Sequence, residues 1–259
     1  MKARVLRMLR RVGLLGTAYA AYERLRAFGG AEGFDDGLPV PPARLRVRVA
    51  GTADLVWFLE SGRLAEQSVR TTLERHGTRI EELGAVLDFG CGCGRVTRRW
   101  RGLDGIHGSD MNRDAVEWCR RNLTFARFET NALAPPLAFA DGSFDLVYAL
   151  SVFTHLTVEL QRGWLAELTR VLRPNGLLLV TTHGGAYEER LAPEERAAFA
   201  SGEVVVRWAE VEGTNLCAAY HPPGALDRLA PPELTFLDLE PEGALGNPRQ
   251  DVNLMRKSR

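Results

Sequence analysis

The stretch VLDFGCGCGRV, Val86 to Val96, sets an aspartate two residues ahead of three alternate glycines. Glycines let a turn adopt conformations closed to other residues and bring its backbone close to a ligand. A dinucleotide would need the order G-x-G-x-x-G, so that a helix N-terminus could receive the pyrophosphate. Gly90, Gly92 and Gly94 run G-x-G-x-G instead, and Arg95 holds the third position of the dinucleotide pattern. Asp88 would also repel a diphosphate at short range. The same carboxylate would attract the ammonium of an amino acid, directly or through water. S-adenosylmethionine joins an adenosine to an amino-acid tail with no phosphate, and it is the cofactor these residues predict. The spacing disfavours an NAD-dependent oxidoreductase.

Further motifs follow in order: GSDMN at Gly108 to Asn112, ETNA at Glu129 to Ala132, then ADGSFDLVYALSVFTHL and LRPNGLLLVTTH. With them the chain resembles the class I S-adenosylmethionine-dependent methyltransferases from about Val86 to Gly184. The resemblance implies that Asp110 takes both ribose hydroxyls, a geometry that suits a carboxylate. It implies that Asn131 stands where the family usually sets an aspartate on the adenine amino group, and an amide oxygen can accept that bond. Asp88, Phe89, Gly90, Cys91, Gly92, Gly94, Met111, Ala132 and Leu150 complete the expected cofactor set. Asp141 and Asp145 read as structural residues of the DGSFD turn, and Asn175-Gly176 as a helix stop.

Methyl transfer from a sulfonium is an in-line displacement, in which the protein positions the acceptor and excludes water. An oxygen acceptor also calls for a base. His155 is the leading candidate, with His183 and His221 behind it, and Tyr187, Trp208, Tyr220 and Gln250 are candidate lining for the acceptor pocket. The expected acceptor is a small molecule or a glycan-type compound, methylated on oxygen rather than nitrogen. The formal net charge of zero disfavours nucleic acid. No metal site or obligate protein partner is inferred. A cofactor-binding protein without transfer activity is the alternative.

Elements must bring these residues together, and 259 residues with 45% hydrophobic content can bury one substantial core. Strand signals at Ala85 to Phe89, Gly105 to Ser109, Ala126 to Glu129, Phe144 to Ser151 and Leu177 to Thr182 alternate with helical ones at Arg95 to Arg101, Arg113 to Asn122 and Thr157 to Leu172. The pattern predicts an α/β fold: a Rossmann-like, mostly parallel sheet of about seven strands with helices on both faces and the last strand antiparallel. Val204 to Val211 and Leu216 to Tyr220 predict a β-hairpin inserted after the fifth strand, at the mouth of the site. Leu234 to Leu239 and Asp251 to Met255 supply the last strands.

Residues 45–259 are expected to form this domain, after an N-terminal amphipathic helix and an extended linker within 1–44. The opening MKARVLRMLRRVGLLGTAYA imitates a signal peptide, but its apolar middle is interrupted by glycines and a threonine and runs into more helical sequence. Its basic residues allow a peripheral membrane contact. Cys91, Cys93, Cys119 and Cys217 make no CxxC pair, which fits reduced thiols in a cytoplasm. Basic residues are nearly all arginine, a hint of a GC-rich bacterial genome.

Overall fold

Apolar runs too short for helices, separated by amphipathic segments, build a sheet covered on both faces. The computed structural model describes all residues except 1, 12, 28–32, 36 and 248. Its first part holds α1 (Lys2–Arg11), α2 (Leu15–Arg26), β1 (Phe34–Asp35), β2 (Leu38–Pro39), α3 (Ala43–Ala50) and α4 (Leu55–Arg75). The expected single N-terminal helix is therefore two, parted at Gly13, and the described part of the expected linker carries a short strand pair and the start of α3. The Asp54 carboxylate caps α4 by accepting from the Trp57 N–H.

The sheet then alternates β3 (Val86–Phe89), β4 (Ile106–Asp110), α5 (Arg113–Asn122), β5 (Arg127–Thr130), β6 (Phe144–Ala149), α6 (Val158–Val171) and β7 (Leu172–His183). After α7 (Pro193–Ala200) come β8 (Val205–Arg207), β9 (Ala218–Tyr220), α8 (Ala225–Leu229), β10 (Leu234–Glu240) and β11 (Gln250–Lys257). The strand order is β10-β11-β7-β6-β3-β4-β5. β11 runs antiparallel to both β7 and β10, while β3 to β7 pair in parallel. Two expectations change. Arg95 to Arg101 is no α-helix but a 3-10 turn, Thr97–Trp100, and Asn175-Gly176 lies inside β7 rather than ending a helix.

One core packs α6 and α8 on the sheet through Leu87, Val147, Trp164, Leu168 and Leu178. The other packs α4 on the opposite face through Val69, Leu73, Val86, Trp100, Tyr148 and Leu254. The inserted hairpin β8–β9 joins the sheet at one pair, His183 with Tyr220. From β3 the chain first moves outward to β4 and β5, then returns to β6 on the other side. That reversal opens a crevice over the carboxyl ends of β3 and β6.

Candidate active site

The crevice is a cleft of about 940 Å3, and the expected cofactor residues at the ends of β3, β4, β5 and β6 reach it, whereas His183 at the end of β7 does not line it. β3 delivers Asp88, Phe89, Gly90 and Cys91; β4 delivers Asp110 and Met111; β5 delivers Asn131 and Ala132; β6 delivers Leu150. Gly92 and Gly94 do not line it. Gly90 and Gly92 both have positive φ, 78° and 54°. A Cβ on Gly90 would collide with Val152, and one on Gly92 with Val49 of α3. Gly92 thus serves the close approach of α3 to the turn, and Gly94 sits against Leu123 and Cys119.

The Asp110 carboxylate crosses to this turn. Its Oδ2 accepts from the Gly92 N–H at 2.7 Å and its Oδ1 from the Asn112 N–H at 2.7 Å. Each oxygen keeps a second lone pair for a ligand hydroxyl. Burial raises its pKa above the usual carboxylate value, against these two backbone donors and the Arg48 charge. Asp88 is more enclosed: the Thr97 hydroxyl donates to its Oδ2 at 2.6 Å, and Tyr148, which accepts from Trp100 Nε1 at 2.8 Å, adjoins it. Burial pushes Asp88 up to about 6, with Thr97, Tyr148 and Arg95 opposing. Asn131 is turned inward, its Oδ1 accepting from Ser109 Oγ and its Nδ2 donating to the Ala132 carbonyl, both at 2.7 Å. One lone pair and one N–H remain for a ligand.

His155 lies in a 3-10 turn after β6, Phe153–His155, and lines the same cleft. Its Nδ1 is 2.7 Å from the Cys217 carbonyl, which can only accept, so Nδ1 carries the proton. Nε2 has no partner among the described residues and is the basic nitrogen. Burial lowers the pKa of His155. His183 stands with its ring centroid 6.4 Å away and 4.3 Å from that of Tyr187. Tyr187 and Gln250 line the cleft, whereas Tyr220 stacks behind His183 and Trp208 lies outside, under Arg10. His221 is buried away from the cleft, its Nε2 on Gln161 Oε1 at 3.0 Å.

Beneath His183 runs a polar chain. Gln250 donates to Ser151 Oγ at 2.9 Å and accepts from Thr181 Oγ1 at 2.8 Å, which in turn accepts from the Ser151 N–H at 2.7 Å. Ser151 is held at φ 60°, a strained conformation for a residue other than glycine.

Several wall residues escaped sequence reasoning. Ala20, Glu23 and Arg24 come from α2, Arg48 from α3, Gly213 and Asn215 from the loop between β8 and β9, and Asn247 from the loop between β10 and β11. Glu23 pairs with Arg48 at 2.7 Å and leaves its Oε1 buried without a partner. Asn247 accepts from Arg95 at 2.8 Å and leaves its Nδ2 likewise unpartnered. These residues arrive from elements with no local signature. The DGSFD acids are structural: Asp145 accepts from the Gly84 and Ala85 N–H groups at 2.8 Å, and Asp141 pairs with Arg170 at 2.6 Å.

Residues 87–180 match the family model described as a methyltransferase domain. Over that stretch the chain is similar to the S-adenosylmethionine-dependent methyltransferase family. The chain is 33% identical over 141 residues to the ubiquinone/menaquinone biosynthesis C-methyltransferase of Hahella chejuensis, over 51% of its own length and 55% of the relative's. It is 34% identical over 120 residues to a fatty-acid O-methyltransferase of Mycolicibacterium smegmatis, over 44% and 42% of the two. The chain spans about half the length of the curated relatives it matches. A solved S-adenosylmethionine-dependent methyltransferase from Methanosarcina mazei shares its fold, with TM-score 0.54 and 22% identity over 71% of this chain and 97% of that one.

S-adenosyl-L-methionine is the cofactor of the family, and the donor set fits it. The cleft offers paired carboxylate lone pairs on Asp110, an acid at Asp88 and an amide at Asn131. It also holds the unpartnered Asn247 Nδ2 and Glu23 Oε1. No cluster of metal-ligating residues occurs among the described residues.

Proposed function

We propose that the protein is an S-adenosylmethionine-dependent methyltransferase that methylates a hydroxyl oxygen of a small-molecule or glycan-type acceptor, with His155 as the base. When bound, the cofactor supplies an electrophilic methyl group. Asp110 and Asn131 hold its nucleoside end, Asp88 its ammonium, and Phe89, Gly90, Cys91, Met111, Ala132 and Leu150 shape the wall around it. Gly92 and Gly94 act indirectly, by allowing the turn. The observation that carries the oxygen acceptor is the tautomer of His155. With Nδ1–H fixed on the Cys217 carbonyl, Nε2 faces the reaction unprotonated. Burial keeps that imidazole neutral at pH 7, ready to take the hydroxyl proton as the methyl group moves. The zero net charge supports a small acceptor over a nucleic acid. In this reading residues 45–259 are the catalytic domain, and the helices α1 and α2 cover it in the cytoplasm.

Methyl-labelled S-adenosylmethionine incubated with cell extract is expected to label an acceptor. No labelled product would leave a cofactor-binding protein without transfer activity. With that acceptor in hand, His155→Gln should lower turnover about a hundred- to ten-thousandfold and leave cofactor affinity unchanged. Turnover within threefold of the parent would remove His155 as base.

A further inference from the structure

Helix α2 buries its carboxylate on the inner side and exposes leucines on the outer side. Its one acid, Glu23, is 9% exposed and faces the cleft, beside Leu15 at 3%. The opposite side carries Leu14, Ala18, Ala21 and Leu25, spaced four, three and four residues apart, which is a single helical stripe. Leu14 is 52% exposed, Leu25 71% and the neighbouring Tyr22 47%, while Val5 and Met8 of α1 are exposed as well. A helix that buries a carboxylate and turns leucines outward has its apolar face set for something other than its own domain.

Charge identifies the occupant. Residues 1–27 carry seven basic side chains and one acid, although the whole chain has no net charge. That acid, Glu23, is already paired with Arg48. Arg11 and Arg24 have no acidic partner among the described residues, and Arg26 rests on Tyr22. An apolar stripe rimmed by unneutralised arginines matches the boundary of an anionic lipid layer, where acyl chains lie beneath negative headgroups. We propose that the outer face of α2, with the exposed end of α1, docks on an anionic bilayer. The helix lies on the surface, since no described helix is long and apolar enough to cross a membrane. Because Ala20 and Glu23 on its inner side, and Arg24 at its edge, line the cleft, docking sets this helix between the bilayer and the cleft. The proposal is independent of the acceptor and of the chemistry at His155.

The test is cosedimentation of the full chain with phosphatidylcholine vesicles, with and without phosphatidylglycerol. Binding only to the anionic vesicles, weakening with added salt, is the expected result. Leu14→Glu with Leu25→Glu should reduce that binding at least tenfold without moving the melting temperature measured in the absence of vesicles. If that variant melts early, Arg11→Ser with Arg24→Ser provides the second reading, with the same loss expected. Equal binding to both vesicle types, or unaltered binding by the folded variants, would overturn the proposal. So would a parent that elutes as a dimer and becomes monomeric in the double glutamate variant, because a second copy would then cover the stripe.

Discussion

Asp110 holds two backbone N–H groups before any ligand arrives, so its geometry is fixed by the turn it is meant to serve. Replacing it by alanine leaves the Gly92 and Asn112 N–H groups unmatched and, on the proposed role, removes the acceptors for two ligand hydroxyls. Cofactor affinity should fall by about 1–3 kcal/mol, read by calorimetric titration. Asp141→Ala is the control, since Asp141 is exposed and meets only Arg170; equal affinities in the two variants would sink the role of Asp110. At this scale the sequence was legible wherever a residue lies beside a strand end, as Asp88, Asp110, Asn131 and Leu150 do. Glu23, Arg48 and Asn247 were not legible, because a lone charged or amide residue in a helix or loop carries no sign of what will fold against it. His221 was named from the loop it lies near, but its side chain turns into the core to meet Gln161.

The glycine turn and α3 act as one element. Val49 fills the space that a side chain on Gly92 would need, so α3 can lie across the turn only because Gly92 has no side chain. Gly92→Val therefore combines a left-handed backbone with a collision against a packed helix. It should cost about 2–5 kcal/mol, measured as a lowered urea midpoint of the free protein. An unchanged midpoint would show that α3 moves aside freely. The inserted hairpin was legible as two strands, yet its connection reaches the site: the Gly213 N–H donates to the His155 carbonyl at 2.8 Å, and Asn215 donates to the Arg48 carbonyl at 2.9 Å. Thus the turn that carries His155 and the helix that carries Arg48 are tied to the same loop.

Across the whole molecule, acid stability is set by histidines buried neutral. His183 is held down to about 4 and His221 to about 3, both mainly by burial, against 6.5 in the unfolded chain. The unfolded state therefore takes up protons first, and stability falls as pH drops below 6.5. At pH 5 each contributes a loss of about 2 kcal/mol. Asp88, Asp110 and Asp251 act in the opposite direction because burial raises them. Asp88, at about 6 against 3.8, returns about 1 kcal/mol at pH 5, while His155, lowered by burial, adds to the histidines' side. The histidines prevail, so urea midpoints should decline between pH 7.5 and pH 5. His221→Gln should flatten the decline, and a slope equal to the parent's would assign the acid sensitivity elsewhere.

Strand periodicity, the glycine spacing and the acids at strand ends were enough to predict a mostly parallel sheet with one antiparallel strand and an S-adenosylmethionine site at its carboxyl edge. Those features are local: a strand of four to eight residues, a turn of five, a carboxylate at a fixed offset from both. The tautomer of His155, the clash that demands Gly92, the inverted mounting of α2 and the cleft wall built from residues 20 to 24, 213, 215 and 247 depend on segments far apart in the chain. Packing alone sets which of those segments meet. The sequence determined which residues end the strands at the cleft, and the tertiary structure decided what encloses them.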